Sequence, residues 1–146
     1  MRLANKVCLI TGGGSGIGAA CAKTYAREGA AVVIVDRNLE GAQRVAGEIH
    51  QAGGRAEPLE ANVGRTADIE AMVKFALDKF GRLDVLHNNA IFSVMGTRAA
   101  DIELKGWQMT LDVSLTGYWY ATKVALNQAM LTQGKGVILN TASVSG

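Results

Sequence analysis

Short, mainly apolar runs alternate with longer stretches of helical period along the whole chain, and this alternation restricts the fold more than any single motif. The runs lie at residues 6–10, 30–35, 83–87 and 137–140, with a weaker one at 55–61. Val7-Cys8-Leu9-Ile10 and the Ala-Ala-Val-Val-Ile-Val run at 30–35 show no polar alternation. A strand that is apolar on both faces has to be covered on both, as in a parallel sheet sandwiched by helices. Strict β-α alternation with short connections then predicts a doubly wound α/β domain of Rossmann type, with right-handed crossovers. Five strands are expected, in the order 3-2-1-4-5. Pro58, the only proline, removes a ladder donor and points to an edge position for the third strand.

The intervening segments read as helices at residues 17–29, 39–52, 66–80 and 104–133. Ile17, Ala20, Cys21, Thr24 and Tyr25 form the expected stripe of the first, Asn38 is expected to cap the second, and Thr66 the third. Gly106 and Gly117 fall inside the last, where each costs about 1 kcal/mol against Ala and so implies close packing or a bend.

Between the first strand and first helix stands Thr11-Gly12-Gly13-Gly14-Ser15-Gly16-Ile17-Gly18. A glycine-rich turn that opens a helix aims backbone N–H groups and the positive end of the helix dipole at one point, which suits a phosphate. Glycine permits the close approach that a Cβ would block. The spacing is Gly12-x-x-x-Gly16-x-Gly18, and Ile17 stands where the last glycine of the commoner G-x-G-x-x-G would fall. A dinucleotide pyrophosphate is the expected occupant. Asp36, at the end of the second strand, is placed to accept the hydroxyls of an adenosine ribose and to repel a 2′-phosphate. That favours NAD over NADP, although the adjacent Arg37 could pair with such a phosphate. In a sheet of this kind the strand ends gather on one edge, so Gly12, Asp36, Asn62-Val63, Asn88-Asn89-Ala90 and Ser143 should converge.

In these residues the chain resembles the N-terminal part of the short-chain dehydrogenase/reductase family. Thr11-Gly12-x-x-x-Gly16-x-Gly18 matches its cofactor motif, Asp36 its NAD-type acid, Asn88-Asn89-Ala90 its NNA motif and Asn140-x-x-Ser143-x-x-Gly146 the segment of its catalytic serine. The resemblance implies cofactor contacts from Gly12, Ser15, Gly16, Ile17, Gly18, Asp36, Arg37, Asn62, Val63, Asn89 and Ala90. It implies a catalytic role for Ser143 and, with less direct correspondence, for Ser114. Asn62 stands where the family usually has Asp, Ile91 where it prefers Gly, and Ser114 where it places an Asn of the proton relay. The family's Tyr-x-x-x-Lys pair, the general acid/base and its partner, lies past the serine and is not in these 146 residues. The expectation is therefore a single NAD(P)-binding domain over residues 1–146, truncated at its C-terminal end and by itself inactive.

The implied activity is hydride transfer between a nicotinamide and a small alcohol or carbonyl compound. Two alternatives are a cofactor-binding module without catalysis and an interaction protein working through the long helix. The family also implies a homodimer or homotetramer formed through that helix, to which Trp107, Met109 and Trp119 would contribute as core or interface residues. A net charge of +2 with no basic run argues against nucleic acid as a partner. No apolar stretch reaches membrane-span length, and Val7–Ile10 is too short for a signal-peptide core, so a cytoplasmic protein is expected. Cys8 and Cys21 lack metal-ligand spacing, no metal site is expected, and both read as small hydrophobes. His50 is expected to be solvated, and His87 to border the cofactor site.

Overall fold

The computed structural model describes residues 1–94 and 96–143. Its strands are β1 (Val7–Thr11), β2 (Ala31–Asp36), β3 (Arg55–Glu60), β4 (Val85–Asn88) and β5 (Val137–Asn140). All neighbours pair in parallel in the order β3-β2-β1-β4-β5. The fold is thus the Rossmann-like α/β arrangement that the alternation predicts, and Pro58 lies on the edge strand β3.

The absence of polar alternation has a direct cause. Cys8, Ile10, Val32 and Ile34 point to one side of the sheet and pack with α1 (Gly16–Arg27) and α2 (Leu39–Gln51). Leu9, Val33 and Val35 point to the other, against α3 (Thr66–Phe80) and α5 (Gly117–Ala125). These sheet residues are wholly enclosed, and each buried Val, Leu or Ile contributes roughly 1.5–3 kcal/mol.

Helix ends follow the glycines. Gly81 closes α3 in the left-handed conformation at φ 74°, and Gly29 and Gly53 turn the chain after α1 and α2 at φ 92° and 79°. Asn38 caps α2 by accepting from Gly41 N at 3.2 Å. Thr66 does not cap α3: Arg65 occupies the cap position without a side-chain bond. The nearby Asp68 carboxylate instead accepts the N–H of Asn62 at 2.8 Å.

The long helix spans the expected 104–133 but is not uniform. α4 (Leu104–Leu111) passes through a π-helical turn at Asp112–Thr116 into α5, and a second π turn at Leu126–Met130 leads to α6 (Leu131–Gln133). Gly117 N–H bonds to Asp112 O five residues earlier. A Cβ on Gly117 would lie 2.6 Å from Val63 O, so its glycine lets the helix rest on the chain that leaves β3. Trp107 and Trp119 are 51% and 60% exposed, which corrects the expectation that they could fill the core.

Candidate functional site

At the carboxyl ends of β1, β2 and β4 lies a cavity of about 370 Å³. It sits where strand order reverses about β1, the ligand crevice of an open α/β sheet. Gly12, Ser15, Gly16, Ile17, Gly18, Asp36, Arg37, Asn62, Val63, Asn89 and Ala90 all line it, so every residue expected around a cofactor is brought to one place. Val35, Ala61, Ile91, Phe92, Val113 and Thr141 complete the wall.

The glycine turn is built by contact. Gly12 takes φ +66° and Gly16 +52°, a region that favours glycine. A Cβ on Gly18 would stand 2.0 Å from Gly12 O, so α1 can approach the strand end only without one. Ser15 precedes α1 without placing its side chain on the helix end. The first N–H groups of a helix have no partner within it, and here the residues that carry them line the cavity. Ile17 belongs to this lining and is 67% exposed, which corrects its assignment to the buried stripe of α1.

Asp36 holds the second corner. Its Oδ2 accepts Gly14 N–H and its Oδ1 accepts Asn38 N–H, both at 2.9 Å. The two bonds fix the carboxylate beside the turn, and each oxygen keeps a lone pair for a further donor. Across the cavity, Asn62 Oδ1 accepts Gly64 N–H at 3.0 Å.

The NNA segment locks the turn from the other side. Thr11 Oγ1 accepts the N–H groups of Asn89 and Ala90 at 3.0 and 3.1 Å. Asn89 Nδ2 donates to Thr11 O and Gly12 O at 3.1 and 3.3 Å. Asn88, one residue earlier, donates to Asn140 Oδ1 at 2.9 Å and so ties β4 to β5. Thr11 and Thr141 carry much of this geometry. The sequence signal available for both was their place at a strand end.

His87 is not a cavity residue as expected. It is buried beneath the floor, its Nδ1 2.9 Å from Tyr25 Oη and its Nε2 2.9 Å from Thr141 Oγ1. Burial lowers its pKa from the ordinary histidine value. His50 is exposed but not merely solvated, since its Nε2 lies 2.8 Å from Ala56 O.

Ser114 stands in the first π turn. Its hydroxyl donates to Phe92 O at 2.8 Å and accepts Phe92 N–H at 3.1 Å, so it holds the chain leaving β4. Ser143 is exposed and follows β5 by three residues, two beyond the cavity residue Thr141. Gly146 of the serine motif lies outside the described residues.

Fold and cavity together define a domain of the doubly wound α/β class with a crevice at the point where strand order reverses. The family model described as short chain dehydrogenase matches residues 6–146. Cyclohexanol dehydrogenase of Acinetobacter sp. (strain SE19) is 41% identical over 97% of this chain and 56% of its own length. Meso-2,3-butanediol dehydrogenase of Serratia marcescens is 38% identical over 100% of this chain and 56% of its own. Among solved structures, a short-chain type dehydrogenase/reductase from Mycobacterium marinum superposes with a TM-score of 0.94 at 34% identity, covering 99% of this chain and 58% of that one. A metagenomic short-chain oxidoreductase in complex with NADP gives 0.93 at 31%, covering 99% and 65%. The chain belongs to the short-chain dehydrogenase family. It spans a little over half the length of the curated relatives it matches.

Proposed function

We propose that this chain forms the NAD(H)-binding part of an oxidoreductase that moves hydride between a nicotinamide and the carbinol or carbonyl carbon of a small molecule. The observation that carries this reading is the pairing of the glycine turn with Asp36 across one cavity. The turn offers helix N–H groups to a pyrophosphate, and its missing Cβ atoms leave room for one. The Asp36 carboxylate, anchored by Gly14 and Asn38, presents acceptors to ribose hydroxyls and a like charge to a 2′-phosphate. When bound, the nicotinamide would supply the hydride donor or acceptor. Ser143 would orient the substrate oxygen by a hydrogen bond. Ser114 would act through Phe92, fixing the cavity wall, with no proton of its own to pass on.

Arg37 and the NADP named for one solved neighbour make cofactor choice the point to test. Fluorescence titration should show NADH binding at least about tenfold tighter than NADPH, the scale of one unfavourable like-charge contact. Asp36→Ser should narrow the gap by weakening NADH while leaving Arg37 to meet the 2′-phosphate. Equal or tighter NADPH binding by the unaltered protein would remove the NAD assignment.

A second copy of the chain is the proposed partner, meeting the outer face of the long helix. Leu104, Trp107, Leu115 and Trp119 are all exposed there. Sedimentation of the full-length protein as a monomer at micromolar concentration would exclude it.

A further inference from the structure

From the buried side of the cavity to its wall, four hydrogen-bonding side chains, on α1, on β4 and just past the ends of β4 and β5, form a continuous chain whose direction is set by its own chemistry. Asn89 Nδ2 faces the carbonyl oxygens of Thr11 and Gly12, which only accept, so the amide group must point its NH2 toward them. Asn89 Oδ1 then faces Thr141 Oγ1 at 3.1 Å and can only accept, so Thr141 donates. With its proton spent there, Thr141 must accept from His87, whose Nε2 lies 2.9 Å away. His87 is therefore protonated on Nε2. Burial lowers the His87 pKa and so favours the neutral ring, in which Nδ1 is bare and accepts from Tyr25 Oη at 2.9 Å. Every donor points the same way: Tyr25 to His87, His87 to Thr141, Thr141 to Asn89, and Asn89 to the carbonyl of Gly12.

That carbonyl is the surface on which Gly18 rests, and neither Tyr25 nor His87 lines the cavity. We propose that His87 and Thr141 are positioning residues for the cofactor: through Asn89 they hold the Gly12 carbonyl, and with it the distance between the strand end and the first turn of α1. The inference rests on the reading of this cavity as a dinucleotide site. It assigns a task to a buried histidine that does not line the cavity. Without the chain, Asn89 has no donor for Oδ1 and its amide loses the restraint that turns Nδ2 toward Gly12.

The test uses the full-length protein, with NADH and ADP-ribose as probes and thermal unfolding recorded alongside. Thr141→Val keeps the shape but deletes the hydroxyl, and should weaken both ligands roughly tenfold, the scale of a buried acceptor left unpaired. Thr141→Ser should restore binding. His87→Phe should weaken them several-fold, His87→Gln should recover most of the loss, and the His87→Phe/Thr141→Val double variant should bind no worse than Thr141→Val alone. A merely structural histidine would change the melting temperature without that non-additivity. NADH affinity unchanged by His87→Phe, or a double variant whose losses simply add, would overturn the proposal. If His87→Phe does not fold, ¹⁵N NMR of the unaltered protein decides: the imidazole must carry its proton on Nε2, and an Nδ1–H tautomer overturns the chain. A wild-type protein that binds neither probe would sink the dinucleotide reading, and the positioning role with it. Normal wild-type binding with insensitive variants would sink the positioning role alone.

Discussion

Gly18 and Gly47 offer the same substitution with opposite expected signs. Both lie in helices, and replacing a helical Gly with Ala gains about 1 kcal/mol of propensity where nothing intervenes. At Gly47, in α2, an added Cβ meets nothing within 4 Å. Gly47→Ala should therefore stabilise the protein by about 0.5–1 kcal/mol. At Gly18 the added carbon would stand 2.0 Å from Gly12 O and 2.8 Å from Asn89 Nδ2. An ordinary carbon–oxygen contact is about 3.3 Å, so helix and strand end must separate by roughly 1.3 Å. The Gly12 carbonyl is also the acceptor of Asn89 Nδ2 at 3.3 Å, so separation loses a hydrogen bond worth about 1 kcal/mol. Overpacking against backbone, which cannot swing aside as a side chain can, costs up to about 3 kcal/mol.

The net for Gly18→Ala is a loss of about 2–3 kcal/mol after the helix gain is allowed for. Urea unfolding of the two variants beside the parent reads both numbers, and NADH titration reads the turn. Gly18→Ala should also weaken NADH by at least about tenfold, because the N–H groups of α1 and the strand end no longer meet one phosphate. A Gly18→Ala protein as stable as Gly47→Ala, with parental NADH affinity, would refute the close-approach account of the glycine turn.

Asp84 ties β1 to β4: its Oδ2 accepts Val7 N–H at 2.9 Å, and Arg82 reaches both oxygens at 2.6 and 2.7 Å. Burial alone would push its carboxyl up, but Arg82, the Val7 N–H and Lys6 outweigh it and hold the group below its ordinary 3.8. A folded value below the unfolded one gives stability that is complete above about pH 3.8 and is lost as pH falls through the folded value. Asp84→Asn should therefore cost about 2 kcal/mol near neutrality and flatten the acid limb of the stability curve, and an unchanged acid limb in urea melts would contradict this. Cys8 is wholly enclosed, and burial, with the Asp84 carboxylate adding to it, pushes its thiol up to about 12. Iodoacetamide at about pH 8 should label Cys8 only after unfolding, and peptide mapping of labelling in the native protein at the unfolded rate would disprove it.

Strand number and the gathering of strand ends were legible in local pattern, while the particular cavity residues were legible through the resemblance to the family. The uniformly apolar β1 and β2 are central and doubly covered, whereas β5, also apolar, lies at the sheet edge with Val137 and Leu139 exposed; residues just past strand ends meet at one edge. What escaped depends on tertiary neighbours. The stripe rule assigned Ile17 to the core, but the first turn of α1 faces the cavity and not the sheet. Helical period likewise cannot register the two π turns, because one extra residue in a turn shifts the stripe without breaking it. For His87, strand alternation indicates a face but no partner. Its neighbours Tyr25 and Thr141 are 62 and 54 residues away in sequence.

The long helix shows how such an irregularity becomes a site property. Gly117 brings α5 onto the carbonyl of Val63, a cavity residue. Within the π turn three residues earlier, Ser114 grips the backbone of Phe92, another cavity residue. Val113, beside Ser114 in the same turn, lines the cavity itself. A regular α-helix advances 100° per residue, and the wider π turn changes where residues 113, 114 and 117 face relative to one another. Two glycine-dependent contacts therefore shape the same space: Gly18 sets how near α1 comes to the strand end, and Gly117 sets how near the long helix comes to the chain leaving β3. Ser114, by occupying both the N–H and the C=O of Phe92, fixes the chain just after Ile91, the bulky residue that stands where the family prefers glycine. Through Gly117 at Val63 and Ser114 at Phe92 the long helix thus positions the chain leaving both β3 and β4, while the backbone of the glycine turn positions Asp36 through Gly14 N–H.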